Sequence, residues 1–299
     1  MKVVAGARGF GLHGAVAVDE WGAPIISVAR KGLKRRAVLK YGGKLIHRVV
    51  DDYGPIEVVE AHGVRSLHFG SSARQSAIDL SAPDRIELAY LRSMLIPLLF
   101  VPRPRRILLL GLGGGTLARF FQRNFPEARI QAVELRAAVV DIASAYFGLE
   151  MGMHFSLHIM EAHQYLQQQS LQRIDGFDLI LVDVFDAEGP SEVLDEPDFF
   201  IRLSRMLCPQ GAMAVNLWSG EGAGWRQVQR TIEAQFRGHL AALSVPGRGN
   251  RICIALGDAY GKLIPKNLEQ EARTMERRWG IEFVRLFERL EFPLRRSKV

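Results

Sequence analysis

Ile107-Leu108-Leu109-Leu110-Gly111-Leu112-Gly113-Gly114-Gly115-Thr116 is the stretch on which the fold turns. Four apolar residues run straight into a glycine turn, and a helix-forming segment, residues 117–124, follows. A short continuous apolar run bounded by turn residues has the pattern of a strand buried on both faces. Glycines just after such a strand let the backbone approach a ligand closely and open the N-terminus of the next helix. Further along, residues 130–133 read as a strand, 137–147 as a helix, and 179–182 and 212–217 as strands. Residues 251–256 read as a late strand and 268–290 as one or two charged terminal helices. Strand–helix alternation at this spacing implies βαβ units and a parallel sheet.

Upstream the pattern changes. From Ala15 to about Phe69 the chain shows short β-type runs, 25–28, 56–59 and 64–69, broken at Gly42-Gly43 and Asp51-Asp52. The expected architecture is therefore α/β: a small N-terminal β domain over residues 1–92, then a domain built on a parallel sheet over residues 93–299. Lys31, Lys34, Arg35, Arg36, Lys40 and Lys44 lie between Arg30 and Arg48 with no acid among them. A basic run of this kind can serve nucleic acid or a membrane surface. Basic residues on a sheet edge also suppress strand aggregation without any partner. Tyr41 is the only aromatic inside the stretch, thin provision for base stacking, so a solvated edge is the expectation and nucleic acid is not.

Composition narrows the class. The chain has 299 residues, 48% hydrophobic and 24% charged, which excludes wholesale disorder. Two cysteines, Cys208 and Cys253, cannot build a disulfide framework, and the N-terminal segment is broken by Arg8 and His13 where a secretory signal would be apolar. The apolar run at 94–101 is far short of the ~20 residues of a membrane span. A cytoplasmic protein with no membrane partner is expected. The net charge of +7 leaves open an anionic partner or mere solubility.

The chemistry concentrates in a few places. Glu134, about twenty residues past the glycine turn and at the end of the second strand, stands where a carboxylate can hold ribose hydroxyls. Gly111, Gly113, Gly114 and Gly115 with Glu134 form a candidate nucleoside site. Thr116 occupies the position where a dinucleotide fingerprint has glycine or alanine, so a nucleoside without a pyrophosphate, such as S-adenosylmethionine or its decarboxylated form, fits better. Asp183 falls at the carboxyl end of a strand, the ligand-binding edge of open α/β sheets, with Asp186 three residues on. Trp218 either walls the substrate pocket or closes the core. Cys208, beside Pro209-Gln210-Gly211, reads as packing. His154, His158 and His163 have a spacing that raises metal ligation, but no cysteine lies near enough in sequence to complete a site, and no metal is expected.

Taken in order, these residues resemble the spermidine synthase family of polyamine aminopropyltransferases. The likeness runs from about Asp52 to Trp218. It takes in Tyr53-Gly54, Gln75-Ser76, Glu87-Leu88-Ala89-Tyr90, the glycine turn, Glu134, Glu161-Ala162, Asp183, Asp186 and Gly189-Pro190. The resemblance implies a Rossmann-like, methyltransferase-type sheet behind the small N-terminal β domain, that Glu134 binds ribose, that Glu161 with Ala162 holds the adenine, where the family usually has aspartate, and that Asp183 is the catalytic aspartate, acting as base. It implies substrate-side roles for Tyr90 and Asp186, a small-molecule amine acceptor, decarboxylated S-adenosylmethionine as co-substrate, and a homodimer. Three departures stand out. An aspartate usual in the family's turn is replaced by Gly114 (or Gly113, if Thr116-Leu117 anchors the alignment). Leu91 and Arg92 follow Tyr90 where His or Gln and then Glu are usual, and Val184 and Phe185 stand where serines are usual. The nucleoside half of the site thus looks intact and the polyamine half altered. Aminopropyl transfer is the first expectation, methyl transfer from S-adenosylmethionine the second, and nucleoside binding without catalysis the third.

Overall fold

The computed structural model describes residues 39–169, 176–185, 189–196, 198–220, 224–237, 239–260 and 267–292. The strand expected at 25–28, the basic residues 30–36 and Asp186 lie outside the described residues. Residues 38–299 form one compact unit that holds two sheets.

The first sheet is antiparallel, with strands in sequence order: β1 (Leu39–Lys40), β2 (Gly43–Asp51), β3 (Gly54–Ala61), β4 (Val64–His68) and β5 (Ser76–Asp79). Its central strand β3 carries a fully buried carboxylate, Glu57. Lys40 Nζ reaches it at 2.5 Å, Tyr41 Oη at 2.8 Å and Arg48 Nε at 3.1 Å. Burial alone would raise the Glu57 carboxyl, but the hydrogen bonds from Lys40 and Tyr41 and the Lys40 charge hold it below its usual value. An unpaired carboxylate there would cost several kcal/mol. Lys40 and Arg48 stay partly exposed at this edge of the sheet while pairing with Glu57. They are bound to the acid beneath them.

The chain then continues through α1 (Ala89–Ser93) into β6 (Arg106–Leu110), α2 (Thr116–Asn124), β7 (Arg129–Glu134), α3 (Ala137–Phe147), β8 (Phe155–Ile159) and α4 (Ala162–Gln169). It goes on through β9 (Phe177–Val182), α5 (Phe199–Met206), β10 (Leu207–Trp218), α6 (Trp225–Gln235), β11 (Leu240–Ser244), β12 (Asn250–Leu256), α7 (Leu268–Trp279) and α8 (Phe283–Glu288). The seven strands lie in the order β11-β12-β10-β9-β6-β7-β8. The strands from β8 to β10 pair in parallel, and β12 runs against both its neighbours. This is the Rossmann-like sheet the resemblance implied.

Side-chain alternation on the central strands explains the layers. Ile107 and Leu109 of β6 and Leu179 and Leu181 of β9 join one core with α2 and α7. Leu108, Leu110, Ile180 and Val182 join the other with α4, α5 and α6. Both faces are covered, which is why these strands are apolar throughout. Each fully buried side chain contributes about 1.5–3 kcal/mol. A third cluster joins the sheets: Ile56, Val58 and Leu67 pack against Val139, Ile142 and Phe147 of α3.

Arg92, the departure two residues after Tyr90, is turned to the C-terminal part of the chain. Its Nε donates to both oxygens of Glu282, at 2.9 and 3.0 Å, just before α8, and its Nη1 donates to the carbonyls of Ile86 and Glu87. It fastens the C-terminal helices to α1. Arg92→Met is expected to lower unfolding free energy by about 1–3 kcal/mol, the cost of stranded acceptors. Denaturant titration of the variant against the parent protein reads this loss.

Candidate active site

The strand order reverses between β6 and β9: from β6 the chain steps outward to β7 and β8, then crosses back to β9. Open α/β sheets bind ligands at the carboxyl ends of the strands flanking such a point. A cavity of about 470 Å³ lies there, lined by the end of β6, the end of β7, the segment after β9 and, from the small sheet side, Tyr53, Phe69 and Gln75.

The glycine turn has to be glycine for two different reasons. Gly111 has φ +89°, and a Cβ on it would stand 2.1 Å from the Asp183 carbonyl oxygen. Any side chain there would push the ends of β6 and β9 apart. Gly113 has φ +54° and faces the cavity, where a Cβ would meet the Ser76 hydroxyl at 3.3 Å. Gly114 and Gly115 are turned away from the cavity. Gly114 N donates to Ser76 Oγ at 2.9 Å, and Gly115 packs against Leu149. Their expected ligand contact is therefore not seen in the cavity wall, and Gly113 is the position whose missing side chain opens onto it.

Glu134 is 8% exposed at the end of β7. Its Oε2 accepts from Leu112 N and its Oε1 from Arg136 N, both at 3.0 Å. Burial raises its pKa, opposed by the backbone donors of Arg136, Leu112 and Gly113. The donors fix the carboxylate's rotamer and leave lone pairs for a ligand diol. The Arg136 guanidinium turns the other way, to both oxygens of Asp51 at 2.8 and 3.0 Å, and lies over the Phe69 ring.

Asp183 follows β9. Its N donates to the Leu110 carbonyl at 2.8 Å and its Oδ1 accepts from Asn216 Nδ2 at 2.7 Å. Tyr90, from α1, places its hydroxyl between the Gln75 carbonyl, 2.9 Å away, and Asp183. Burial pushes the Asp183 carboxyl up to about 6, and Glu134 adds to the rise, while Asn216 and Tyr90 oppose it. Burial and then the charge of Asp183 push the Tyr90 hydroxyl well above its usual value.

Glu161 is part of the main cavity wall and Trp218 is not. Glu161 lines the cavity with Ala162, but its Oε1 and Oε2 accept from His163 N and Gln164 N at 2.9 and 2.8 Å, so it caps α4 as well. Trp218 lies outside the main cavity. It packs over Gly249 and lines a smaller pocket with Leu217, Trp225 and Val228. His163 is held by Asp198 at 2.7 Å, and among the described residues no group of three His, Cys, Asp or Glu side chains could hold a metal ion. Cys208 sits at the start of β10, the opposite end from Asp183 in β9, and burial raises its thiol. Glu192, exposed at the cavity mouth, and Asn216 were not singled out in the sequence. A lone amide inside the buried run 212–217 was the available signal for Asn216.

The chain has relatives of known name. The "Spermine/spermidine synthase domain" pattern matches residues 89–219. A curated "Polyamine aminopropyltransferase" of Chromobacterium violaceum is 32% identical over 247 residues, 82% of this chain and 93% of that one. The "eEF1A lysine and N-terminal methyltransferase" of Mus musculus is 27% identical over 197 residues, 64% of this chain and 28% of that one. Among solved structures, a probable spermidine synthase from Corynebacterium glutamicum superposes with a TM-score of 0.64 at 20% identity, covering 77% of this chain and 85% of that one.

Asp183 carries a stability signature that needs no substrate. Its value of about 6 lies above the ordinary 3.8, so the folded state binds the proton more tightly than the unfolded chain. The stability that this group contributes is therefore full below about pH 4 and is lost as pH rises toward about 6. Asp183→Asn cannot ionise, and relative to the parent it should gain roughly 2 kcal/mol between pH 3.5 and 7.5, after discounting for residual solvent. A gap that stays constant across that range in denaturant unfolding would contradict the assignment.

Proposed function

The chain belongs to the spermine/spermidine synthase family, and from that membership we propose that it transfers an aminopropyl group from decarboxylated S-adenosylmethionine to a small amine. One observation carries this reading. Among the described residues, every cavity-lining side chain with a formal charge at neutral pH is acidic: Glu134, Glu161, Asp183 and Glu192. The chain as a whole carries +7. A cavity of opposite sign to its protein favours cationic ligands, and both a sulfonium donor and an amine acceptor are cationic.

In this reading Glu134 takes the ribose hydroxyls, and the segment Met160-Glu161-Ala162 borders the adenine. Gly113 lets the donor pass close to the turn. Asp183 receives the acceptor amine, helped by Tyr90. The amine nitrogen attacks the carbon beside the sulfonium, the carbon–sulfur electron pair returns to sulfur, and methylthioadenosine leaves. Deprotonating an amine of pKa ~10.4 at neutral pH costs roughly 4–5 kcal/mol. A carboxylate near 6 is ionised at pH 7 and placed to take that proton.

A second reading has its own support. Gly113 presents no side chain to the cavity, so nothing there repels a donor that keeps its carboxylate, and one relative is named as a methyltransferase. Methyl transfer asks mainly for alignment. The two part in one incubation with both donors and a mixed amine pool, read by mass spectrometry. Gain of an aminopropyl unit is expected, and gain of a methyl group alone would install the second reading. Asp183→Asn should lower the aminopropyl rate by about 10²–10⁴-fold while leaving methylthioadenosine affinity within about threefold.

A further inference from the structure

Behind Asp183 lie two buried amides that the chemistry above does not use. Asn216 is 2% exposed in β10 and Asn250 is 8% exposed at the start of β12. In the antiparallel register Asn250 faces Trp218 and Asn216 faces Ile252, so the two asparagines are diagonal neighbours on one face of the sheet. Neither lines the cavity. Asn216 Nδ2 donates to Asp183 Oδ1 at 2.7 Å, and Asn250 Nδ2 donates to Asn216 Oδ1 at 3.0 Å.

The order of these bonds matters. A carboxamide has nearly the same shape either way round, and only one of its ends is a donor. With the carbonyl end toward Asp183, oxygen would face carboxylate across a buried contact. Asn250 fixes the choice, because its NH₂ occupies the Asn216 oxygen and commits the Asn216 NH₂ to Asp183. One carboxylate oxygen is thereby held by Asn216, and Tyr90 approaches the same carboxylate.

We propose that Asn216 and Asn250 are positioning residues, a two-amide relay that orients Asp183 and stabilises its ionised form for the incoming amine. The proposal rests on Asp183 being the acid that receives the amine. The groups facing Asp183 among the described residues are Tyr90 from α1, Glu134 from β7 and Asn216 from β10. Glu134 opposes ionisation of Asp183, and with Tyr90 shared with the Gln75 carbonyl, Asn216 is the donor committed to it. Removing that donor leaves burial and Glu134 less opposed.

The test is a carbon-13 carboxyl NMR titration of aspartate-labelled, substrate-free protein, with the Asp183 signal identified by its loss in Asp183→Asn. Asn216→Leu, close in volume and without a donor, should move the Asp183 titration upward by about one unit or more. Asn250→Leu should move it the same way by less. The double variant should go no further than Asn216→Leu alone, because Asn250 acts through Asn216. An unmoved titration in Asn216→Leu, or additive shifts in the double variant, would overturn the relay. Should Asn216→Leu fail to fold, Asn250→Leu decides, and an unmoved Asp183 there overturns the proposal. The acid limb of the kcat/KM profile should shift in parallel. A parent protein with no turnover would count against the transfer reading, while the titration still decides the relay.

Discussion

The closeness of two backbones at the carboxyl edge of the sheet governs the site. Gly111 passes so near Asp183 that a Cβ would stand 2.1 Å from its carbonyl oxygen, and Asp183 N closes the contact with a hydrogen bond to Leu110. Strands β6 and β9 are neighbours at the point where the strand order reverses. Their close approach brings the glycine turn and the acid to one wall. Because Gly111 N also donates to the Val133 carbonyl, the end of β7 is drawn in, and Glu134 arrives beside the same turn. Three strand ends thus set the positions of the glycine turn and two carboxylates before any loop contributes.

Burial then does the electrostatic work. Glu134 and Asp183 are both raised by desolvation, and each is kept usable by donors aimed at it from behind: backbone amides for Glu134, the Asn216 side chain for Asp183. Glu134 also disfavours ionisation of Asp183. Among the described residues no basic side chain lines the cavity. Arg136 is engaged by Asp51, and Arg92 by Glu282.

Much of this was legible in the sequence, and the failures have a common cause. The strands at 107–110 and 179–182 were readable because burial on both faces leaves an unbroken apolar run. Glu134 and Asp183 were readable because each sits one step beyond or at such a run's end. Side-chain direction was not readable. Nothing in the residue order says that Arg92 turns to a glutamate 190 positions away, or that Lys40 from β1 and Arg48 from β2 close on a buried acid of β3. Glu161 and Trp218 were read from position along the chain. The first divides its carboxylate between the cavity and the cap of α4, and the second swings over Gly249 into a separate pocket. Asn216 went unread because a single polar residue in an apolar strand acquires meaning only when its partner, 33 positions away, is brought beside it.

A crystal structure of the protein with methylthioadenosine bears most directly on the claim that this cavity is where a nucleoside sulfonium and an amine meet. The expected result is ribose hydroxyls on Glu134, adenine along Met160-Glu161-Ala162, and the sulfur between Gly113 and Asp183. A nucleoside bound elsewhere, or seated in the cavity with its ribose away from Glu134, would contradict it.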